Sequence, residues 1–549
     1  MPTYPARPVR ALSNPAADAE PGVVGEAPRR GVLSQNPRSP AELVPTGQRS
    51  SSGRVVDTGP VIVAGPPYVI AIVGAGPSGI YAAEALGRQT EVPVEIAVID
   101  RLPVPFGLVR YGVAPDHESI RSIRNTLERT LERPGVRFYG DVAIGSDLGV
   151  EELRGCVDAV IYAYGAGTDR RLGIPGEDLP GSIAAPDFVT WYCGHPDSHP
   201  DHESPDGGDH LDAAAIDRLI SSTTQAVVVG VGNVALDVAR VLIMPTAQLL
   251  DTDMAEEVLE SHARKGITDV HILGRRGPAH TSFTTKELRE LGQLPDVEVI
   301  VRAADLELDP LSRAVVEQSK VAARNVAVLQ EWAGRRPGGA SLRIHFHFWT
   351  RPVMIIGNGR VAAVRTERTM IDADGLVVGT GEFGTLDAQL IVRSVGYRGV
   401  ALPGLPYDES TGRVPHAEGR VIRDHAFSAD EYVAGWIKRG PTGVIGTNKS
   451  DATETVTSLL GAIGEGAVIA HGRSGDLDRL LAARGIHPLD LRAWHRIDDA
   501  EMERGASHGR HRTTLAHRSE LLAAANTQRQ HPGETSPPAA ADPVQLATR

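Results

Sequence analysis

The sequence is poor in cysteine. Cys156 and Cys193 are the only two among 549 residues, which is too few for a disulfide framework. They form no Cys-x-x-Cys motif, and this excludes a redox dithiol, a cysteine zinc site and a four-cysteine iron–sulfur cluster. Redox chemistry in this chain would therefore need a bound organic cofactor. The low cysteine content is also typical of a reducing compartment.

The sequence also lacks an uninterrupted apolar run of the ~20 residues that span a bilayer. The apolar stretch 61–73 is broken by Gly65, Pro66 and Pro67, and the first ten residues contain no apolar segment of a secretory signal. We therefore expect no membrane insertion and a cytoplasmic protein.

The sequence also has no excess of basic residues. It contains 56 Lys and Arg against 69 Asp and Glu, which gives a net charge of −13. A nucleic-acid partner is not expected.

Composition divides the chain into segments. Residues 1–66 are rich in Pro, Ala, Gly, Ser and Arg with almost no aromatics, and we predict a disordered N-terminal arm. Residues 195–210 are dense in His, Asp, Pro and Gly, which is typical of a surface loop; their spacing organises no ligand set, so no metal is predicted. Residues 475–549 are predicted to form a helical extension that packs on the main body and ends in a disordered tail.

A glycine-rich turn follows the first apolar run. Gly74-x-Gly76-x-x-Gly79 stands between YVIAIV and a helical pattern, and a second strand pattern ends at Asp100. Gly74 permits the tight turn, Gly76 the approach of a pyrophosphate, and Gly79 close packing of helix on strand. This β-α-β unit predicts a dinucleotide site in which the Asp100 carboxylate accepts both ribose hydroxyls. A surface aspartate that merely ends a strand is the alternative.

The same pattern returns with different chemistry. Gly230-x-Gly232-x-x-Ala235 lies in the segment 225–242, and the next strand pattern leads into Arg275 and Arg276 instead of an acid. Guanidinium groups at that place would bind a ribose 2′-phosphate in bidentate fashion. The second unit therefore predicts NADP in preference to NAD, with two solvated arginines as the alternative.

Two further segments, VPFGLVRYGVAPDH at 104–117 and AGWIKRGPTGVIGTNK at 434–449, combine Gly and Pro with residues of buried type. Together with GAGPSG, GVGNVALDVAR, LGRRGP and SVGYRG they closely resemble the NADPH-ferredoxin reductases of the adrenodoxin-reductase type, from about Tyr68 to about Ala470. The resemblance implies an α/β fold of two Rossmann-like dinucleotide-binding domains, with the NADP-binding domain inserted in the FAD-binding domain and a helical C-terminal extension. The implied boundaries are 67–169 and 394–474 for the FAD-binding domain and 170–393 for the NADP-binding domain.

The resemblance also implies cofactor contacts at matching positions. For FAD these are Gly74, Gly76, Ser78, Gly79, Asp100, Leu108, Val142, Trp436, Gly443, Val444 and Ile445. For NADP(H) they are Gly230, Gly232, Asn233, Val234, Arg275, Arg276, Glu287 and Gly443. His117 and Glu287 match residues that orient the nicotinamide, with a satisfied loop histidine as the alternative for His117. The family usually has Glu where this chain has Asp100.

The implied activity is hydride transfer from NADPH to FAD, followed by single-electron transfer to a ferredoxin-type iron–sulfur protein. The alternatives are a diaphorase that reduces quinones, the flavin subunit of a larger complex, and a dinucleotide-binding regulator without enzymatic activity. Because ferredoxins are usually acidic, a local basic docking surface is expected. Its candidates are Arg121, Arg124, Arg129, Arg133, Lys438 and Arg439. The sequence does not predict the oligomeric state.

Overall fold

The structure is a computed structural model, which describes residues 65–200, 212–336 and 338–527. The predicted N-terminal arm lies outside the described residues except for Gly65 and Pro66. Residues 201–210 of the histidine-rich segment and the predicted tail beyond Thr527 also lie outside them.

The strands follow the apolar runs of the sequence. In chain order they are β1 Tyr68–Val73, β2 Val94–Ile99, β3 Val136–Tyr139, β4 Ala159–Tyr162, β5 Thr168–Asp169, β6 Ser182–Ala184, β7 Gln225–Val229, β8 Asp269–Leu273, β9 Val297–Val301, β10 Leu342–His347, β11 Thr350–Gly357, β12 Val361–Ile371, β13 Val377–Asp387, β14 Leu390–Arg393, β15 Tyr397–Arg398, β16 His416–Ala417, β17 Arg420–Arg423 and β18 Ala426–Val433.

The helices connect these strands and form the C-terminal part of the described chain. They are α1 Pro77–Arg88, α2 Leu108–Tyr111, α3 Glu118–Arg121, α4 Arg124–Leu131, α5 Val150–Cys156, α6 Ala185–Tyr192, α7 Ala213–Ser221, α8 Asn233–Ile243, α9 Glu256–Ala263, α10 Thr285–Leu291, α11 Pro310–Gln318, α12 Lys320–Ala333, α13 Trp436–Arg439, α14 Thr447–Gly464, α15 Asp476–Ala483, α16 Leu491–Ser507 and α17 Arg518–Asn526. None of the described helices combines the length and the apolar character that crossing a membrane requires.

The first lobe is built on a seven-stranded sheet of order β16-β17-β18-β4-β1-β2-β3. Strands β18, β4, β1, β2 and β3 are parallel, and β17 and β16 extend the sheet in antiparallel fashion. Parallel neighbours need a crossover, which α1 supplies between β1 and β2. Because β16, β17 and β18 come late in the chain, two separate stretches of sequence assemble this lobe.

The second lobe is inserted between those two stretches. Its six-stranded sheet has the order β6-β14-β7-β8-β10-β9, and all of its neighbouring strands are parallel. Strands buried on both faces read as continuous apolar runs, and β7 with the sequence QAVVV fits this rule. The antiparallel sheet β11-β12-β13 completes the lobe.

The chain enters and leaves the second lobe at one place. There β5 pairs with β15 in antiparallel fashion, Asp169 opposite Tyr397 and Thr168 opposite Arg398. One large cluster of buried apolar residues includes Ile70 of the first lobe and Val228 of the second. The same cluster takes in Trp494 of α16, so the C-terminal helices are part of the main body.

The packing of α1 on β1 gives the first testable prediction. A Cβ at Gly79 would lie 1.9 Å from the carbonyl oxygen of Gly74, which belongs to the main chain of the turn. We therefore expect Gly79→Ala to lower the free energy of unfolding by about 1–3 kcal/mol or more, the usual cost of overpacking. Urea unfolding followed by circular dichroism measures the change.

Gly87→Ala in the same helix is the matched control. The nearest atom to a Cβ there is the end of the Arg133 side chain at 3.7 Å, and Gly→Ala in a helix stabilises by about 0.5–1 kcal/mol. A Gly79→Ala variant as stable as Gly87→Ala would contradict the packing described.

Candidate functional site

The first glycine-rich turn connects β1 to α1. Gly74 has a φ of +112°, and a Cβ on it would lie 2.6 Å from the carbonyl oxygen of Ala163, the residue directly after β4. Gly76 caps α1 without any side-chain hydrogen bond to the helix. The first N–H groups of α1 therefore keep their donors available at the positive end of the helix, an arrangement that favours a phosphate.

Asp100 lies beside this turn at the end of β2. Its carboxylate accepts hydrogen bonds from the main-chain N–H of Ala75 at 2.7 Å and of Leu102 at 3.0 Å. Burial raises the pKa of Asp100 and outweighs these two hydrogen bonds, which lower it. The carboxylate thus fixes the shape of the turn, and its contact with a ribose stays a prediction.

The late part of the chain reaches the same turn. The Ser78 hydroxyl donates to the Asn448 side chain at 2.8 Å, and a Cβ at Gly435 would lie 2.3 Å from the Ser78 oxygen. Trp436 begins α13 directly after Gly435. The structure therefore brings together two predicted flavin-contact segments that stand far apart in the sequence.

The other predicted flavin residues differ in exposure. Gly443 has a φ of +84°, Val444 is 61% exposed, and both precede the N-terminus of α14. Leu108 begins α2 directly after Gly107, where a Cβ would approach Gly76 to 3.0 Å. The structure places these residues as follows: Gly443 and Val444 are exposed, Ile445 and Leu108 are half-buried, and Val142 is buried with its N–H on the Asp100 carbonyl.

The second glycine-rich turn connects β7 to α8. Gly230 has a φ of +137°, and a Cβ there would lie 2.1 Å from the carbonyl oxygen of Ser394. Gly232 caps α8 without a side-chain hydrogen bond, and a Cβ on it would meet nothing within 4 Å. Asn233 accepts from the Thr284 N–H at 2.8 Å and ties α10 to the turn. This turn also offers helix N–H groups to an anion.

Arg275 and Arg276 follow β8, the strand next to β7 in the sheet. Both side chains are exposed, and within the described ranges no acid pairs with either of them. The main chain is held in place, because the Thr369 hydroxyl donates to the Arg275 carbonyl at 2.9 Å. Two guanidinium groups on an anchored loop are available for an anionic ligand.

His117 lies between the two lobes and is 6% exposed. Its Nε2 atom lies 3.1 Å from Asp237 of α8 and 3.0 Å from Glu287 of α10, and its Nδ1 atom lies 3.7 Å from Glu290. Burial alone lowers the pKa of His117, but the hydrogen bonds to Asp237 and Glu287 outweigh burial and raise it to about 9. The imidazole is therefore protonated at neutral pH.

Arg240 of α8 completes this cluster and is 1% exposed. It donates to Asp116 of the first lobe at 2.6 Å and to Asp237 at 2.8 Å, and it contacts His117. His117, Asp237 and Glu287 could in principle ligate a metal ion. A cation at that place would meet the buried Arg240 guanidinium, so the group is better described as an ion-pair network.

Sequence reasoning found His117 and Glu287 but missed their companions. Asp237 and Arg240 stand three residues apart on α8, within the quoted motif GVGNVALDVAR. Glu290 follows Glu287 by the same interval on α10. Residues three apart share a helix face, and this spacing was the signal available in the sequence.

The basic residues predicted for docking are only partly at the surface. Arg121 is 7% exposed and pairs with Asp253 at 2.6 Å. Lys438 is 3% exposed, and it and Arg439 both pair with Asp451, at 3.3 and 3.1 Å. The docking prediction is wrong for these three, because their charges are neutralised inside the protein. The other candidates are more accessible: Arg129 is exposed, and Arg124 and Arg133 are half-buried.

Two glycine-rich turns on two parallel sheets, with an ionic junction between them, are typical of flavoproteins that use a pyridine nucleotide. The family model described as "Pyridine nucleotide-disulphide oxidoreductase" matches residues 68–303. The disulfide part of that description has no counterpart here, since Cys156 and Cys193 are both buried and unpaired.

Named relatives narrow this class. "NADPH-ferredoxin reductase FprA" of Mycobacterium tuberculosis is 46% identical over 472 residues, 83% of this chain and 98% of the relative. Mitochondrial "NADPH:adrenodoxin oxidoreductase" of Arabidopsis thaliana is 36% identical over 478 residues, 84% of this chain and 95% of the relative. The solved structure of Mycobacterium tuberculosis FprA in complex with NADPH matches with a TM-score of 0.76 at 44% identity, covering 84% of this chain and 99% of that chain.

The chain therefore belongs to the family of NADPH-ferredoxin reductases that includes the adrenodoxin reductases. This confirms the family and the fold class predicted from the motifs, two Rossmann-like domains with a helical C-terminal part.

The pH dependence of stability tests the His117 cluster. Its pKa is raised from 6.5 to about 9, so the folded protein holds the proton more tightly than the unfolded chain. The resulting stabilisation, about 3 kcal/mol, is present below about pH 6.5 and is lost as the pH rises through about 9. We expect the thermal midpoint of the wild-type protein to fall more between about pH 6 and about pH 9.5 than that of His117→Gln. Parallel curves for the two proteins would contradict this assignment.

Proposed function

We propose that the chain is an NADPH-ferredoxin reductase, which passes a hydride from NADPH to FAD and then single electrons to a ferredoxin-type iron–sulfur protein. One observation carries this proposal. His117 of the first lobe is buried against Asp237 of α8 at 3.1 Å, and the N-terminus of α8 is the second glycine-rich turn. The two dinucleotide sites therefore face each other across one contact between the lobes, and they do not lie in two independent modules.

The residues present fit two different dinucleotides. Both α1 and α8 begin at glycine-capped turns without side-chain caps, and each can receive a pyrophosphate. A carboxylate, Asp100, stands beside the first turn, whereas two exposed cations, Arg275 and Arg276, follow the strand beside the second. A carboxylate would repel a 2′-phosphate and guanidinium groups would bind it. We therefore assign FAD to the first lobe and NADP(H) to the second.

The contact residues predicted from the motifs are part of this proposal. For FAD, the meeting of Ser78 with the segment that contains Trp436 supports a site assembled from both stretches of the first lobe. For NADP(H), the open space at Gly232 supports a close approach of the pyrophosphate. The domain boundary at 169/170 is supported by β5, which ends at Asp169, and the boundary at 393/394 by β14, which ends at Arg393 just before β15 pairs with β5.

When bound, FAD supplies the redox chemistry, since it accepts a hydride and releases electrons one at a time. The chain binds, orients and shields the reactants. His117 holds its proton beside Glu287 and offers a fixed donor at the junction. A Cβ at Gly443 would lie 2.7 Å from the Thr447 hydroxyl oxygen, so a side chain there would crowd the start of α14. Arg240 links the lobes, because it donates to Asp116 of the first lobe and to Asp237 of its own helix.

We also propose that the protein works in the cytoplasm. Both cysteines are unpaired and buried, which suits a reducing compartment. The partner we propose is a small iron–sulfur protein of the ferredoxin class, and the relatives named above are reductases of ferredoxin or adrenodoxin.

The choice of electron acceptor distinguishes a ferredoxin reductase from a diaphorase that reduces quinones. We expect NADPH-dependent reduction of cytochrome c to rise about tenfold or more when a ferredoxin is added, because the reductase then has its one-electron partner. The control is the same assay with an apo-ferredoxin that lacks its cluster. An equal rate with and without intact ferredoxin, together with rapid reduction of quinones, would favour the diaphorase.

Replacement of Arg275 and Arg276 tests the NADP assignment. Each charge-assisted hydrogen bond to a phosphate contributes about 1.5–3 kcal/mol, so each Arg→Ala variant should raise the KM for NADPH by about tenfold to a hundredfold. The KM for NADH should change little, because NADH carries no 2′-phosphate. Arg289→Ala, an exposed arginine on α10, is the matched control. Unchanged NADPH selectivity in both Arg275→Ala and Arg276→Ala would overturn the assignment.

A further inference from the structure

The C-terminal helix α16 is anchored to the first lobe. Trp494 is 1% exposed, meets Phe106 edge to face with ring centroids 5.4 Å apart, and donates to Glu128 at 2.8 Å. Just before α16, Leu489 and Gly140 exchange main-chain hydrogen bonds of 2.8 Å. Because Phe106 lies two residues before Leu108, α16 packs directly behind the loop predicted to contact flavin.

The segment that follows α16 binds the second lobe. This segment, residues 508–518, forms an interlobe strap. Within the strap, the Arg510 guanidinium donates to the Thr252 carbonyl at 3.0 Å, and the Thr514 N–H donates to the Asp253 carbonyl at 2.9 Å. His517 lies 3.2 Å from Glu257.

The interlobe strap then returns to the first lobe. Its last residue, Arg518, pairs with Asp141 and begins α17, which packs on α16. The chain therefore crosses from one lobe to the other and back within eleven residues, 508–518. A segment held at both ends and in the middle restricts the rotation of the lobes relative to each other.

Glu501 joins the two anchorages. It is 0% exposed and accepts hydrogen bonds from Arg110 of α2 at 3.1 Å, from Arg512 of the strap at 2.8 Å and from the Leu515 N–H at 2.9 Å. Burial raises its pKa, but the charges of Arg110 and Arg512 outweigh burial and lower it. One buried carboxylate thus holds the helix behind the flavin loop and the strap that binds the second lobe.

Stability alone does not account for such a residue. A buried ion pair often gains little over apolar residues of the same volume, because the desolvation cost offsets the attraction. The Glu501 carboxylate does fix the relative orientation of α2 and the interlobe strap, because three donors from these two segments converge on its two oxygen atoms.

We propose that Glu501 is a positioning residue for hydride transfer: through Arg110 and the interlobe strap it fixes the second lobe, and the nicotinamide bound there, relative to the flavin site. The inference rests on the proposed function for the identity of the two ligands. Its mechanical part, the fixed angle between the lobes, rests on the contacts alone.

Glu501→Gln in the holoenzyme tests the proposal through its two half-reactions. Reduction of the flavin by NADPH should slow by about tenfold or more, because misplacement of reacting groups by about 1 Å costs up to about a hundredfold. Oxidation of the photoreduced flavin by ferricyanide should stay within about twofold of wild type, because a small oxidant needs no fixed angle between the lobes. Glu503→Gln, an exposed carboxylate on the same helix, is the control and should match wild type. Equal slowing of both half-reactions, or none, would overturn the proposal.

A distance measurement gives a readout that needs no reaction. Spin labels on Glu132→Cys in the first lobe and Glu317→Cys in the second report the interlobe distance, because both sites are exposed and both native cysteines are buried. Glu501→Gln should broaden the distance distribution, and Glu503→Gln should leave it narrow. An unchanged distribution in Glu501→Gln would overturn the proposal.

Arg510→Ala covers the case in which Glu501→Gln does not fold. It removes the hydrogen bonds to Thr252 and Met254 without leaving a buried charge, and exposed His511→Ala is its control. The same broadening is expected, and its absence would contradict the proposal. If NADPH did not reduce the flavin of the wild-type protein, the proposed function would be refuted. The distances between the spin labels would still decide the role of the interlobe strap.

Discussion

The arrangement of the two lobes depends on one buried guanidinium. Arg240 is 1% exposed and receives carboxylates from both sides, Asp116 from the first lobe and Asp237 from its own helix. Asp237 belongs to the same lobe as Arg240, and Asp116 supplies the ion pair across the junction. Loss of one partner of a buried charge is costly, so this pair resists separation of the lobes. The pairing of Arg240 with Asp116 places the neighbouring His117 against α8. It thereby also determines the distance between the two glycine-rich turns.

This constraint explains why the site is distributed over the chain. The first lobe is assembled from early and late segments, and the second lobe is inserted where β5 and β15 pair. Carboxyl ends of parallel strands are the usual binding edge of such sheets. Two reactants that are bound one to each lobe can react only if the lobes keep their relative position. Arg240 and Glu501 therefore have related roles, since each helps to hold the lobes in place at a different part of the junction.

Local chemistry could be predicted from the sequence, and long-range pairing could not. Glycine patterns between apolar runs predicted both turns, because the positive φ of Gly74 and Gly230 is a local demand of the turn. The carbonyl groups that a Cβ would meet there, those of Ala163 and Ser394, are distant in sequence. Arg121 and Lys438 were wrongly predicted to be surface charges, since their partners become visible only in three dimensions. Asp100 was predicted to bind ribose, and its two main-chain hydrogen bonds depend on turn geometry that no sequence pattern shows. The helical character of the C-terminal extension was predictable, but the crossing of the interlobe strap was not.

If the two glycine-rich turns hold FAD and NADPH at one junction, NADPH reduces the flavin directly. The most direct measurement is the visible absorption spectrum of the purified protein under anaerobic conditions, before and after one equivalent of NADPH or of NADH. We expect a flavin spectrum that NADPH bleaches quickly and NADH slowly. A colourless protein, or a flavin that ignores both nucleotides, would contradict it.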